Sequence, residues 1–231
     1  MRRELIVNAD DFGRSPGINS GIAAAHKRGI VTSASLMVRW LAAQTAAAYA
    51  REHPELSVGL HVDLGEWFSR DGEWTPVYEV VAVDERPSLE AEVERQLRLF
   101  RELIGRDPTH LDSHQHVHRG EPVRSVLNAI SLRLGVPLRS VSDSVRYCGD
   151  FYGQSATGER VPDSVTPDAL VRLLRSFPPG VTELGCHPGF GDDAGSPYAR
   201  ERELEVATLC DPRVREAVAA CRIELRSFKS D

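Results

Sequence analysis

Asp10 and Asp11 close the short apolar run Leu5-Ile6-Val7 and stand just before Gly13 and a helix start at Ser15-Pro16. Paired carboxylates at a strand end, with a glycine to let the chain turn, are how an α/β enzyme places chemistry at the C-terminal edge of its sheet. Three later strand-like segments end in histidine: GLHVDL with His61, HLDSHQHVH with His110, His114, His116 and His118, and GCHPG with His187. A lone strand histidine is most often a core or surface residue. Several histidine-bearing strand ends and an Asp-Asp end are different, because parallel strands bring their C-terminal ends to one face. One Asp with two His is a three-donor set for a divalent cation that leaves positions for water and substrate.

Strand alternation sorts the histidine cluster. His110, Asp112 and His114 share one face of their strand, and Leu111 and Ser113 the other. His114 stands at the open end of that face and is the leading ligand from the cluster. Asp112 suits a supporting role, orienting an imidazole or accepting its other N–H. His116 and His118 either line the pocket or hydrogen-bond within the turn. Asp10 and Asp11 would point opposite ways in a regular strand, but a turning strand end lets both reach one site. That arrangement favours one carboxylate on the metal and the other left for proton transfer. Pro188 stiffens the loop behind His187. His26 and His53 fall in helical patterns and read as surface residues.

The elements that must position these groups alternate along the chain. Strands are expected at 4–9, 31–38, 57–64, 109–114, 138–142, 181–187 and 222–226, with apolar spacings of three or four between most of them. Ser15-Pro16, Thr166-Pro167, Ser196-Pro197 and Asp211-Pro212 each offer an N-cap followed by proline at the first helical position. Gly29, Gly105 and Gly135 follow the last apolar positions of their helices. Repeated βα units imply a parallel sheet, and about seven of them favour an α/β fold of the irregular or incomplete parallel (β/α) barrel type. Segments 65–87 and 143–165 lack clear periodicity and follow strands, so they are expected as substrate loops over the active face. Their aromatic residues Trp67, Trp74, Tyr78, Tyr147, Phe151 and Tyr152 are available either to stack on a substrate or to pack the loops.

Composition narrows the class. At 231 residues, with 41% apolar and 27% charged residues, residues 1–231 are expected to form one domain. A net charge of −6 with no Lys/Arg block argues against nucleic-acid binding. No apolar run reaches the length of a membrane span, and the chain opens directly into a strand rather than a signal peptide. Cys148, Cys186, Cys210 and Cys221 show neither CxxC spacing nor disulfide-framework density, which suits a reduced, cytoplasmic protein.

The motifs NADDFGRSPGINSGI, GLHVDL, THLDSHQHVH and ELGCHPG run in this order over nearly the full length. Together they resemble the YdjC-like carbohydrate deacetylase family, which includes chitooligosaccharide deacetylases. The resemblance implies an irregular (β/α) barrel, one divalent ion assigned as magnesium, removal of acetyl groups from N-acetylated amino sugars or oligosaccharides, and a homodimer. On matching positions it assigns Asp11, His61 and His114 to the metal, Asp10 to the general base and His187 to the general acid. The chain departs from the family in VDLGEWFSRDGEW, at Arg119-Gly120 after the histidine cluster, and in a short stretch between 142 and 181. All three departures touch substrate loops and spare the metal trio.

Amide hydrolysis needs an activated water, a place for the developing oxyanion and a proton for the leaving amine. An ion on the Asp-His-His trio would acidify its water and polarise the acetyl carbonyl. Asp10 would take the proton of that water and His187 would hand one to the departing nitrogen, giving a bell-shaped pH dependence whose basic limb belongs to His187. Ligand type alone favours Zn²⁺, Mn²⁺ or Fe²⁺ over Mg²⁺, which prefers oxygen donors. Two other readings use the same residues: a metal-dependent phosphoesterase, and a non-catalytic carbohydrate-binding protein on the same fold.

Overall fold

A computed structural model describes residues 2–70, 73–155, 157–191 and 198–229, and the side chains of 69, 70, 73 and 74 lie outside the description. The fold is built on β1 (Arg3–Phe12), an almost wholly buried strand at the middle of a parallel sheet. Along one edge β1 pairs with β8 (Gly180–Cys186) over its first seven residues. Along the other edge it meets β9 (Ile223–Leu225) at Arg3–Leu5 and then β2 (Ser33–Leu36) from Asn8 onward. The sheet continues through β3 (Ser57–Val62) to β6 (Leu111–Ser113) on one side, and from β8 to β7 (Arg146–Cys148) on the other. The order β6-β3-β2-β1-β8-β7 curls into an open half-barrel, the incomplete parallel (β/α) barrel expected from the sequence.

The local signals explain where the helices begin and end. Ser15 Oγ accepts from Ile18 N–H at the start of α1 (Pro16–Arg28), which buries Ile18, Ile22 and Ala25. Next come α2 (Ala43–Glu52), α3 (Arg86–Ile104) and α4 (Val123–Leu134). The last two stop at Gly105 and Gly135, whose φ angles of 81° and 67° are the left-handed turn that glycine makes without strain. Thr166 caps α5 (Pro167–Ser176) and Asp211 caps α7 (Pro212–Ala220). Between them α6 (Ala199–Leu209) begins just after Ser196-Pro197, a pair that lies outside the described residues. Leu89, Val93, Leu97, Phe100, Val126, Leu127 and Leu170 join Leu5, Val7, Ala34, Val58, Leu60 and Leu184 in one hydrophobic core.

Four expectations are corrected. The strand expected at 138–142 shrinks to a single bridge, Leu111 with Leu138. Ser140 has φ 60° and the amides of Val141 and Ser142 both turn back to Leu138 O, so the chain curls away after one pairing. Segment 65–87 is not an irregular loop throughout: it opens with an antiparallel hairpin, β4 (Gly65–Arg70) and β5 (Glu73–Glu79), whose alternation is obscured by a register shift at Glu66/Trp67. Segment 143–165 contributes β7 to the sheet edge. Nor are His26 and His53 free surface residues, for His26 Nδ1 lies 2.8 Å from Tyr49 Oη and the His53 ring stacks on Tyr49 at 4.0 Å.

Candidate active site

The C-terminal end of β1 is where the site begins. The pairing of β1 with β2 breaks register between Ala9 and Phe12, and Asp11 within that break has φ 66°. This bulge is what turns two neighbouring carboxylates toward one pocket, where a regular strand would send them to opposite faces. Both are buried.

Asp11 faces the histidines. Its Oδ1 lies 3.0 Å from His114 Nδ1 and 3.4 Å from His61 Nε2, and the donor atoms of the three residues fall within 4.8 Å of one another. His61 stands at the end of β3. His114 opens a 3-10 turn (His114–Arg119) directly after β6, in which Gln115 and His116 adopt left-handed φ values of 50° and 53°. His61 Nδ1 is held by Asp112 Oδ1 at 2.8 Å, and Asp112 Oδ2 accepts from Ser35 Oγ at 2.7 Å. One carboxylate oxygen and two imidazole nitrogens fit a divalent ion by donor type, and a carboxylate behind the imidazole is the usual support for such a ligand. Burial pushes the His61 pKa down, but Asp112, Asp11 and Asp10 outweigh it and raise it to about 10, so a cation held there would have to displace a proton.

Asp10 faces the other way, toward Arg139. Arg139 Nη1 donates to Asp10 Oδ2 at 2.6 Å and Nη2 to Oδ1 at 2.7 Å, a two-pronged fork. The same fully buried guanidinium meets Asp112 Oδ2 at 2.8 Å and Glu183 Oε1 at 2.6 Å. Burial opposes ionisation of Asp10, but Arg139 outweighs it and holds the carboxyl below its ordinary value. Glu183, sharing one guanidinium with two other carboxyls, is pushed up by burial to about 7. Asp10, His61 and Asp112 also lie close enough to form a donor set, but two of its three members already hold Arg139, so a cation occupies that place.

His187 follows β8, with Nε2 3.8 Å from Asp10 Oδ2. Its backbone N–H donates to Glu205, which also accepts from Tyr198 Oη at 2.5 Å, and Tyr152 lies across its ring at 5.1 Å between centroids. Burial lowers the His187 pKa to about 4, so the imidazole is neutral at pH 7. A neutral His187 must receive a proton before it can give one away.

The remaining sequence candidates separate cleanly. His118 is fully buried, with Nδ1 2.7 Å from Ser113 Oγ and Nε2 3.1 Å from Arg139 O, so the ring braces the His114 turn against the Arg139 segment. His116 Nε2 lies 3.2 Å from Tyr147 Oη. Tyr147 is half-buried against the Arg139 guanidinium at 4.9 Å, and Phe151 is fully buried in the core, so Phe151 packs its loop and offers no open ring face. Tyr152 stacks on Tyr198, and Tyr78 Oη donates to Asp63. The side chain of Trp74 lies outside the described residues.

Sequence reasoning missed Arg139, Glu183, Arg202 and Glu205. Arg202, on α6, donates from Nη2 to Asp11 Oδ2 at 2.5 Å and from Nη1 to His187 O at 3.3 Å. A signal was present in α6, whose inward face carries Glu201, Arg202 and Glu205 among its buried residues.

A half-barrel with an Asp-His-His cluster, a second carboxylate and a histidine at the strand ends defines a metal-dependent hydrolase class of site. The chain belongs to the YdjC-like protein family, whose sequence profile matches residues 4–220. It is 35% identical to a carbohydrate deacetylase of Geobacillus stearothermophilus over 250 aligned residues, covering 99% of this chain and 98% of the relative. A chitooligosaccharide deacetylase of Serratia marcescens is 33% identical, covering 99% of each. Among solved structures, an Enterococcus faecalis protein provisionally named for cellobiose-phosphate cleavage superposes with a TM-score of 0.80 at 26% identity, covering 99% of this chain and 98% of that one.

Proposed function

We infer that this chain is a metal-dependent carbohydrate deacetylase that removes acetyl groups from N-acetylated amino sugars or oligosaccharides. The observation that carries the reading is the division of the Asp10-Asp11 pair, with Asp11 among two imidazoles and Asp10 ionised on Arg139, 3.8 Å from His187 Nε2. Asp11, His61 and His114 would hold the ion, which when bound supplies Lewis acidity to the acetyl carbonyl and to water. Asp10 takes the proton of the attacking water, held ionised for that task by Arg139. His187, neutral in the resting protein, accepts that proton from Asp10 and delivers it to the leaving nitrogen. Arg202 and Glu205 anchor the loop that carries it.

With two imidazoles among three donors, Zn²⁺ or Mn²⁺ suits the trio better than the Mg²⁺ implied by resemblance. The phosphoesterase reading is not favoured, since the second donor set that a two-metal site requires is occupied by Arg139. Residues 1–231 act as one domain in this reading. The resemblance adds a homodimer, which sedimentation of the purified protein tests, and the spacing of the four cysteines suits a cytoplasmic protein. Acetate release across a panel of N-acetylated sugars, after chelation and add-back of each metal, tests the activity. Absence of acetate from all of them in metal-replete protein would remove the reading.

A further inference from the structure

Behind the metal trio lies a buried hydroxyl that the scheme above does not use. Ser35, on β2, is fully buried, and its Oγ meets three side chains. Asn8 Nδ2 stands 2.8 Å away, His110 Nε2 3.0 Å and Asp112 Oδ2 2.7 Å. Counting hydrogens fixes every role. Asp112 is paired with Arg139 and only accepts, so the single hydroxyl hydrogen of Ser35 goes to Asp112 Oδ2. Asn8 gives one amide hydrogen to Asp10 Oδ1 at 2.9 Å and the other to Ser35. The remaining lone pair of Ser35 accepts from His110, which must then carry its proton on Nε2. That leaves His110 Nδ1 to accept from Thr109 Oγ1 at 3.0 Å.

The His110 ring has little room to change that assignment. Gly59 on β3 lies so close that a Cβ there would stand 2.5 Å from the ring, and Phe228 stacks on it at 4.0 Å between centroids. Burial lowers the His110 pKa to about 4, which keeps the ring neutral at pH 7. The consequence falls on Asp112. Its Oδ2 is filled by Ser35 and Arg139, so Oδ1 is the oxygen left for His61 Nδ1 at 2.8 Å. With Nδ1–H held there, His61 turns Nε2 toward Asp11 Oδ1 at 3.4 Å. Arg139 by itself does not secure this, because the same guanidinium also serves Asp10 and Glu183. Without the hydroxyl, the buried N–H groups of Asn8 and His110 lose their shared acceptor, and the Asp112 carboxylate beyond it is left to satisfy them.

We propose that Ser35 is a positioning residue of the metal trio, with Asn8 and His110 as the donors that fix its hydroxyl. By filling Asp112 Oδ2 it keeps Oδ1 on His61 Nδ1 and leaves His61 Nε2 for the ion. The proposal rests on the reading above for Asp11, His61 and His114 as ligands. Its test measures Zn²⁺ affinity by chelator competition, and the His61 Nδ1 proton of the metal-free protein by ¹H–¹⁵N NMR. Wild type is compared with Ser35→Ala, Ser35→Thr, His110→Phe and His110→Gln, with circular dichroism to follow folding. Ser35→Ala should weaken Zn²⁺ about tenfold or more, the scale of losing an outer partner of a ligating histidine. Ser35→Thr keeps the hydroxyl and should restore part of that affinity. His110→Phe should weaken Zn²⁺ in the same direction, whereas His110→Gln, which keeps an N–H near the Nε2 position, should retain it. The His61 Nδ1 proton should shift or vanish in Ser35→Ala. A hydroxyl with only a structural role would lower urea stability and leave both readouts alone. Folded Ser35→Ala with wild-type Zn²⁺ affinity, or with an unmoved His61 proton, therefore overturns the proposal. If wild type binds no divalent ion, the ligand assignment fails separately. The positioning role is then judged on the His61 proton alone, and an unmoved resonance in Ser35→Ala overturns it too.

Discussion

Asp10 and Asp11 are consecutive residues with separate arginine partners: Asp10 takes both Nη atoms of Arg139, and Asp11 Oδ2 takes Nη2 of Arg202 at 2.5 Å. With Oδ2 committed to Arg202, Asp11 turns Oδ1 toward His61 and His114. Each carboxylate is therefore held ionised by its own cation, and the two face different groups.

The metal trio gives the first test. Asp11→Asn or His114→Ala should remove most metal on elemental analysis while the circular dichroism spectrum is retained. His118→Ala should keep the metal but lose about 1–3 kcal/mol of stability, because Ser113 Oγ and Arg139 O lose a buried partner. Full metal content in His114→Ala would refute the ligand assignment.

Asp10→Asn separates binding from turnover. Metal affinity should stay near wild type, and kcat should fall by about 10² or more, the scale of a lost general base. Near wild-type turnover would exclude Asp10 as the base.

Glu183 gives stability a pH dependence. Its pKa in the folded protein is raised from 4.5 to about 7, foremost by burial. Between those values the folded state holds a proton that the unfolded state has released, so stability falls as pH rises from 4.5 to about 7 and levels off above. The loss is about 3 kcal/mol from this group. Urea denaturation across this range should show the decline in wild type and its removal in Glu183→Gln. Parallel curves would place the buried proton elsewhere.

His187 is tested by the leaving group. An amine leaves poorly unless protonated, whereas an alkoxide leaves more readily, so His187→Ala should impair N-acetyl substrates far more than matched O-acetyl ones. Equal losses would reduce His187 to a positioning role. Because burial holds its pKa near 4, the pH–rate profile should have no basic limb from His187 near neutrality.

The sequence by itself determined the βα alternation, the capped helix starts and the strand-end positions of Asp10, Asp11, His61 and His114, because periodicity and turn chemistry are local. It also carried the family motifs. Only the tertiary structure decided how the two aspartates divide, since that rests on a β-bulge at Asp11 and on arginines 129 and 191 residues away. It likewise separated His118, consumed by Ser113 and Arg139, from His114, which faces Asp11. A charged side chain in a sequence window reads as solvated. Arg139, Glu183 and Arg202 are buried because their opposite charges come from strands and helices that meet only when the sheet curls, and no local pattern records that meeting.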